Sequence, residues 1–389
     1  MNWNKLKRRF RQFKCLVIFY LVKTWTIIYR KPVDYWLISE RGNDARDNGY
    51  VFYRFLKREH PDIKIKYAIT PDSPDRKRVD DVDVIKYGSL KHYYSYITSP
   101  MLLSTHYQGY SPNFELFAQL DRRGLSPVRG KKVLLDHCVR MGKAGCTNDT
   151  VKVDMMVCSI HREYDALLHN AGYEPRVLCD IGMPRFDNLY THINMPTKKQ
   201  ILFMPTWRVK YTNSTEKVFI NSDYYKSVKN LIENEELIKF LKDKDLNFVF
   251  YPHIEMQKFI SLFHSKDDRI LIREAGSAVV EDLLLDSQLL ITDYSSVFFD
   301  FAYLNKPVLY FHFDNDENIK ADEKRWFSFE RDGLGEVCYS ADEIIEKLKT
   351  IDLIKPNDVY ISRSNALFGI KDDRNSQRVY DAVCALLKE

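Results

Sequence analysis

The chain has 389 residues, 45% of them hydrophobic, which is long for one domain and sufficient for two cores. Its net charge of +5 is too mild to argue for a nucleic-acid partner, and no basic stripe interleaved with aromatics marks an RNA-binding module. Seven cysteines stand scattered, with no CxxC pair and no zinc-type histidine spacing, which suits a reducing compartment; the lack of G-x-x-x-x-G-K-[ST] and G-x-G-x-x-G weakens P-loop and ordinary dinucleotide readings.

Residues 1–31 hold nine Lys/Arg and no acid, more than the whole positive surplus. The apolar run "CLVIFYLV" ends at Lys23, far short of a span of ~20 residues, and "TWTIIYRK" offers no small-residue cleavage site. A basic start and an aromatic-aliphatic body predict a helix lying in the headgroup region of an anionic leaflet, each basic residue adding on the order of 1 kcal/mol. The alternative is a helix packed on its own domain with an exposed basic end.

From residue 32 the pattern alternates. "PVDYWLIS" reads as a strand, 45–61 as an amphipathic helix stopped by Pro61, and "IKIKYAIT" as a strand; "VDVIKYGS", "SPMLLSTH" and "KKVLLDHCV" continue. "DMMVCSI", the helical "HREYDALLHNAGY" and "RVLCDIGMPRFDNL" complete a first α/β block, predicted as a domain over 32–195. After a pause at "THINMPTKKQ", a second domain is predicted over 196–389. It contains the strand "ILFMPTWR", the helix "EELIKFLKDKD", the strands "NFVFYPHI" and "RILIRE", and the helix "AVVEDLLLD". "GEVCYSADEIIEKLKT" adds a strand and a helix, and an amphipathic helix closes the chain. Helices alternating with short buried strands predict parallel sheets covered on both faces, with a cleft between the two domains.

Residues 291–311, "ITDYSSVFFDFAYLNKPVLYF", form the most informative stretch. Leu289–Thr292 and Val308–Phe311 read as buried strands and 297–304 as the helix between them, stopped by Asn305-Lys306-Pro307. Such βαβ units are parallel and right-handed, so Asp293, Tyr294, Ser295 and Ser296 fall at the carboxyl end of a strand, where open α/β sheets bind ligands. Ser295 or Ser296 is the expected N-cap. Two hydroxyls beside free N–H groups suit phosphate; equally, the serines could cap the helix and Asp293 brace the turn.

This segment, with "MPTWR", "YPH" and "GMPRFDNL", resembles the CDP-glycerol glycerophosphotransferases, the teichoic-acid primases and polymerases, from about residue 33 to 385. The resemblance implies a GT-B fold of two Rossmann-like domains. It also implies transfer of glycerol phosphate or a related polyol phosphate from CDP-glycerol or CDP-ribitol to a lipid-linked acceptor, peripherally at the cytoplasmic face of a bacterial membrane, with release of CMP. The chain departs from the family where W-H-G-T-P is usual: "LLDHCVRMGK" keeps His137 but has Cys138 for the glycine. Ser287-Gln288 replaces a usual S-D. A nucleotide-sugar glycosyltransferase and a non-catalytic membrane adaptor with a nucleotide-binding cleft are the competing readings.

The resemblance implies that Ser295 and Ser296 hold the donor pyrophosphate while Asp293 fixes the turn. Arg208, beside Thr206, is expected to pair with phosphate oxygens, its alternative being a salt bridge. Arg185 and Asp187 are either part of the site at the domain junction or a structural pair. His137, with Asp136 before it, and His253, after Pro252, end matching strands, and either could be a general base. The GT-B likeness places His137 as base in the acceptor domain and His253 on a phosphate oxygen. Asp314 and Asp316 read as an acidic loop, so no metal site is assigned, and Ser376 and Arg378 are left to the terminal helix. A divalent metal requirement and the oligomeric state are not readable from the sequence.

Overall fold

The computed structural model describes residues 3–29, 31–141, 146–274, 276–314 and 326–389. Two compact units are present. The first takes in the described residues up to Asp187, apart from Arg140 and Met141, and regains Asp372–Glu389; the second holds Asn188–Lys371 and those two residues.

In the first unit β1 (Trp36–Ile38), β2 (Ile65–Ile69), β3 (Val84–Lys86), β4 (Met101–Ser104), β5 (Lys131–Leu134), β6 (Met155–Cys158) and β7 (Leu178–Asp180) make one sheet in the order β3-β2-β1-β4-β5-β6-β7. In the second, β8 (Gln200–Met204), β9 (Asn247–Phe250), β10 (Ile270–Ile272), β11 (Leu289–Thr292), β12 (Val308–Phe311) and β13 (Gly335–Cys338) are ordered β10-β9-β8-β11-β12-β13. Every pairing in both sheets is parallel. Strands such as Leu289–Thr292 and Val308–Phe311 are buried throughout, because helices cover both faces of each sheet and leave no solvated side to alternate with. Phe203, Phe250 and Phe311 fill the second core. These are the two parallel-sheet Rossmann-like units expected of a GT-B chain.

Four helices of at least nine residues were not among those expected from the sequence: Leu90–Thr98, Phe114–Arg122, Asp223–Ile232 and Asp358–Phe368. Each opens on a polar residue whose side chain accepts a first-turn N–H: Ser89 from His92, Asn113 from Leu116, Ser222 from Tyr225 and Asn357 from Val359. Their start signal is a cap; Asp223–Ile232 also buries Tyr224, Val228, Leu231 and Ile232 at helical spacing, so its apolar period was there to be read.

The units also divide differently from the expected 32–195 and 196–389. The carboxyl-terminal helix, Asn375–Leu386, belongs to the first unit. Asp187 fastens it, accepting the N–H of Asn375 at 2.6 Å and of Ser376 at 2.9 Å, while Arg378 donates to the Ile181 carbonyl at 2.9 Å. His60 stacks on Tyr380 with ring centroids 3.5 Å apart. A contact between residues this distant in sequence leaves no local pattern.

The amino-terminal helix, Trp3–Tyr29, has two apolar faces. Phe19 and Val22 sink into the first unit's core beside Tyr93, Tyr96 and Phe117. On the other side Trp3, Leu6, Phe10, Phe13, Val17 and Leu21 stand exposed, at three- and four-residue spacings that align them in one stripe. The helix is thus packed on its own domain, as the alternative reading expected, and it also presents an exposed apolar face. Among the described residues no helix is long and apolar enough to cross a membrane.

Candidate active site

In the second unit the strand order reverses between β8 and β11, and loops leaving a parallel sheet at such a point diverge and leave room for a ligand. The loop after β8 carries Thr206 and Arg208; the loop after β11 carries Asp293 to Ser296. Asp293 ties them together. Fully buried, it accepts the N–H of Thr206 at 2.8 Å and of Tyr294 at 2.6 Å through Oδ1, and its Oδ2 lies 2.8 Å from Arg208 Nη2.

Arg208 is itself only 1% exposed. Its Nε and Nη2 donate to Asp314 at 2.9 and 2.8 Å, and its Nη1 donates to the Thr206 carbonyl at 2.7 Å. Burial works to lower its pKa, but Asp293 and then Asp314 outweigh it and hold the guanidinium charged. The bidentate phosphate contact expected of Arg208 is therefore not what its nitrogens make here. A guanidinium taken this far out of water must be paired, and two carboxylates on separate loops pair it. Asp314, expected in an acidic loop, is one of those partners; Asp316 lies outside the described residues.

Ser296 precedes the helix Val297–Tyr303 as its N-cap residue, yet its hydroxyl makes no capping bond, and Ser295 Oγ accepts the Val297 N–H only at 3.4 Å. Both are half-buried. Nearby, Thr206 Oγ1 and His312 Nε2 are buried without a hydrogen-bond partner. Leaving a buried polar atom unpaired costs about 1–3 kcal/mol, so an orphaned hydroxyl on one of these loops and an orphaned imidazole nitrogen beside them point to a polar ligand. His312, not singled out from the sequence, follows β12 and stacks on Tyr294 at 4.2 Å; burial lowers its pKa against the pull of Asp293.

His253 follows β9, and its ring runs alongside Trp207 at 5.8 Å. Its Nδ1 accepts the Glu255 N–H at 3.2 Å, so in the neutral ring the proton sits on Nε2 and the outer nitrogen is a donor. Burial lowers its pKa, with Glu255 and Asp293 acting the other way.

The first unit repeats the plan, its order reversing between β1 and β4. After β5, Asp136 adopts a left-handed φ of 54°, tolerated because its own carboxylate accepts the next N–H, that of His137, at 2.7 Å. His137 Nδ1 faces two acceptors, Asp136 Oδ1 and the Thr105 carbonyl, each at 3.3 Å. Its proton therefore sits on Nδ1, which leaves Nε2 as the basic nitrogen. Burial would lower this pKa, but Cys138 and Asp136 outweigh it and raise it well above the ordinary imidazole value. His106, at the end of β4, stacks on His137 with centroids 4.3 Å apart.

Arg185 belongs to this group. Its Nη1 donates to the His137 carbonyl at 3.1 Å and lies 3.2 Å from Asp47 Oδ1, and its N–H donates to Asn48 Oδ1 at 2.9 Å. Asn48 in turn donates to the Asp136 carbonyl at 2.8 Å. Asp187 does not join Arg185; it clasps the carboxyl-terminal helix. Beneath Asp47, buried Glu40 accepts the N–H groups of Arg46, Asp47 and Tyr50, and burial together with the Asp47 charge pushes its pKa up to about 8. Gly49 permits this: a Cβ there would stand 2.7 Å from Glu40 Oε1. A strand-end position was the only sequence signal for Glu40, His106 and His312. Asp136, His137 and Cys138 bring one potential metal ligand each within 4.8 Å of one another; the carboxylate and imidazole are already engaged with one another and with Thr105.

Residues 19–385 match the family described as CDP-Glycerol:Poly(glycerophosphate) glycerophosphotransferase. The chain belongs to this family. It is 28% identical over 397 residues to the minor teichoic acid biosynthesis protein GgaB of Bacillus subtilis (strain 168), covering 98% of this chain and 43% of the relative. It is 30% identical over 191 residues to the teichoic acid glycerol-phosphate primase of the same organism, covering 46% of this chain and 44% of the relative. The chain thus spans less than half the length of these curated relatives. The solved wall teichoic acid polymerase TagF shares its fold, with a TM-score of 0.73 at 18% identity over 100% of this chain and 99% of that one. Within this glycerophosphotransferase family chain, the D-Y-S-S loop stands at one strand-order reversal and His137 at the end of β5, next to the other.

Proposed function

We propose that the protein transfers glycerol phosphate, or a related polyol phosphate such as ribitol phosphate, from a CDP-activated donor to a hydroxyl of a lipid-linked acceptor in teichoic-acid-like polymer synthesis. The observation that carries this reading is the donor loop of a family member: Ser295 and Ser296 have hydroxyls not committed to strong capping bonds, and Thr206 Oγ1 is buried and unpartnered nearby. These hydroxyls hold the donor pyrophosphate, and the buried Asp293–Arg208–Asp314 group fixes the loops that carry them. His253 donates from Nε2 to a phosphate oxygen.

The acceptor oxygen forms a bond to the polyol-bearing phosphorus, the bond from that phosphorus to the CMP oxygen breaks, and CMP leaves. The acceptor proton passes to His137 Nε2. Such help is typically worth 10²- to 10⁴-fold, and the Asp136 carboxylate steadies the imidazolium that forms. Arg185 and Asn48 hold the Asp136-His137 backbone in place.

The exposed stripe of the amino-terminal helix rests on the anionic cytoplasmic leaflet. Two copies of this stripe pairing with each other would bring together segments rich in Lys and Arg and free of acid, whereas acidic lipid neutralises them.

Incubation with a lipid-linked acceptor and CDP-glycerol, CDP-ribitol or UDP-sugars tests the reaction. CMP release coupled to growth of the lipid-linked product is expected; turnover of UDP-sugars alone would overturn the assignment.

A further inference from the structure

The amino-terminal helix shapes more than an apolar stripe. Where its carboxyl half passes the end of the helix Leu90–Thr98 and the segment 125–129, a groove of about 400 Å³ opens, within the range of small-ligand sites. Lys23, Lys31 and Arg129 stand around it, Ile27, Ile97 and Val128 supply apolar wall, and no acidic residue is among the described residues that line it. The segment is held against the helix by two bonds: Tyr20 Oη donates to the Leu125 carbonyl at 3.1 Å and Lys23 Nζ to the Pro127 carbonyl at 3.4 Å. Lys23 is half-buried with no carboxylate among its described partners, and burial lowers its pKa. Ile27, 61% exposed, lines the groove, so the groove opens on the same helix that carries the stripe assigned above to the membrane.

We propose that this groove is a binding site for the phosphate headgroup of an anionic membrane lipid, with Lys23, Lys31 and Arg129 around the phosphate and Ile27, Ile97 and Val128 against the glyceryl and upper acyl carbons. The proposal rests on the membrane reading of the helix and adds to it a single recognised headgroup. Three cations with no acid among them answer one phosphate and its neighbours; a carboxylate lipid offers fewer acceptor oxygens and satisfies them less well. The apolar wall argues for a lipid over a free phosphate, which would gain nothing from it.

The test is co-sedimentation of the full-length protein with phosphatidylcholine vesicles containing either phosphatidylglycerol or, at equal surface charge, oleic acid. The wild type should prefer phosphatidylglycerol. Lys31→Gln with Arg129→Gln, both exposed and harmless to folding, should weaken phosphatidylglycerol binding about tenfold or more and erase the preference, whereas Lys77→Gln with Lys226→Gln should do neither. Equal binding of the wild type to both vesicles, or an undiminished preference in the groove variant, would overturn the headgroup site while leaving the membrane reading standing. No binding to either vesicle would end both. Calorimetry with soluble glycerol 3-phosphate is the remaining arm: binding as tight as to vesicles would assign the groove to a free phosphate and overturn the lipid assignment.

Discussion

Arg208 and Asp293 face each other across 2.8 Å with side chains 1% and 0% exposed, and this pair joins the loop after β8 to the loop after β11. Because Asp314 completes the group from the segment after β12, three strand ends depend on one guanidinium.

Removing that guanidinium leaves two buried carboxylates unpaired. Arg208→Met should therefore destabilise the fold by about 3–5 kcal/mol, visible in urea unfolding. Donor affinity should fall in parallel as the loops loosen. Unchanged stability with lost donor affinity would mean that Arg208 acts on the phosphate directly.

The serines should behave in the opposite way. Ser296 contributes no capping bond and Ser295 only a long one, so Ser295→Ala with Ser296→Ala should stay close to wild type in stability, each change within roughly 0.5 kcal/mol. Each lost charge-assisted bond should weaken CDP-donor binding by roughly 1.5–3 kcal/mol in calorimetry. An unaltered donor dissociation constant alongside a lowered melting temperature would reduce both residues to helix caps.

For His137 the sign follows from its raised pKa. Its charged form supports the fold below the unfolded value of about 6.5 and that support is lost as pH rises through the folded value. As a base it works only when neutral, so turnover should climb with pH along a limb lying above the ordinary imidazole range. After burial, Cys138 is the largest influence on this group, so Cys138→Gly should shift the limb. His137→Ala should cut turnover at least about a hundredfold with donor affinity nearly unchanged. Near-normal turnover in that variant would remove it as base.

His92 offers a pH test of stability away from the chemistry. It is fully buried, accepts the Gly88 N–H on Nδ1 at 3.0 Å and donates from Nε2 to the Tyr110 carbonyl at 2.9 Å, an arrangement that requires the neutral ring. Burial pushes its pKa down to about 4. The unfolded chain takes up this proton near 6.5 and the folded one does not until about 4, so stability should fall as pH drops through that window, by up to roughly 3 kcal/mol from this residue. Comparing urea midpoints of wild type and His92→Gln between those values checks it: the variant should show the smaller loss.

Membrane attachment is better tested on the stripe than by deleting residues 1–31, because Phe19 and Val22 belong to the core. Phe10→Ser with Phe13→Ser changes only exposed positions and should release the protein from acidic vesicles, while added salt should weaken wild-type binding. Full retention of the double variant would assign the stripe another role.

Much of this was decided by sequence alone. Short runs of buried residues between helices fixed two parallel sheets, since only strands covered on both faces lack alternation, and the strand-helix-strand setting of "ITDYSSVFFDFAYLNKPVLYF" placed Asp293 to Ser296 at a strand end. The family likeness rested on the same residues. What needed the tertiary structure were relationships between residues far apart in the chain. Arg208 reads as an exposed phosphate ligand until Asp293 and Asp314 are seen to enclose it. Asp187 reads as a partner of Arg185 until the carboxyl-terminal helix returns to it from 188 positions further along the chain. Glu40, His106 and His312 carry no motif, and their chemistry comes from burial and neighbours. Local sequence sets backbone direction and the face each side chain takes, but desolvation and charge pairing are set by whatever the fold brings alongside, and those terms decide whether an arginine holds a ligand or a loop.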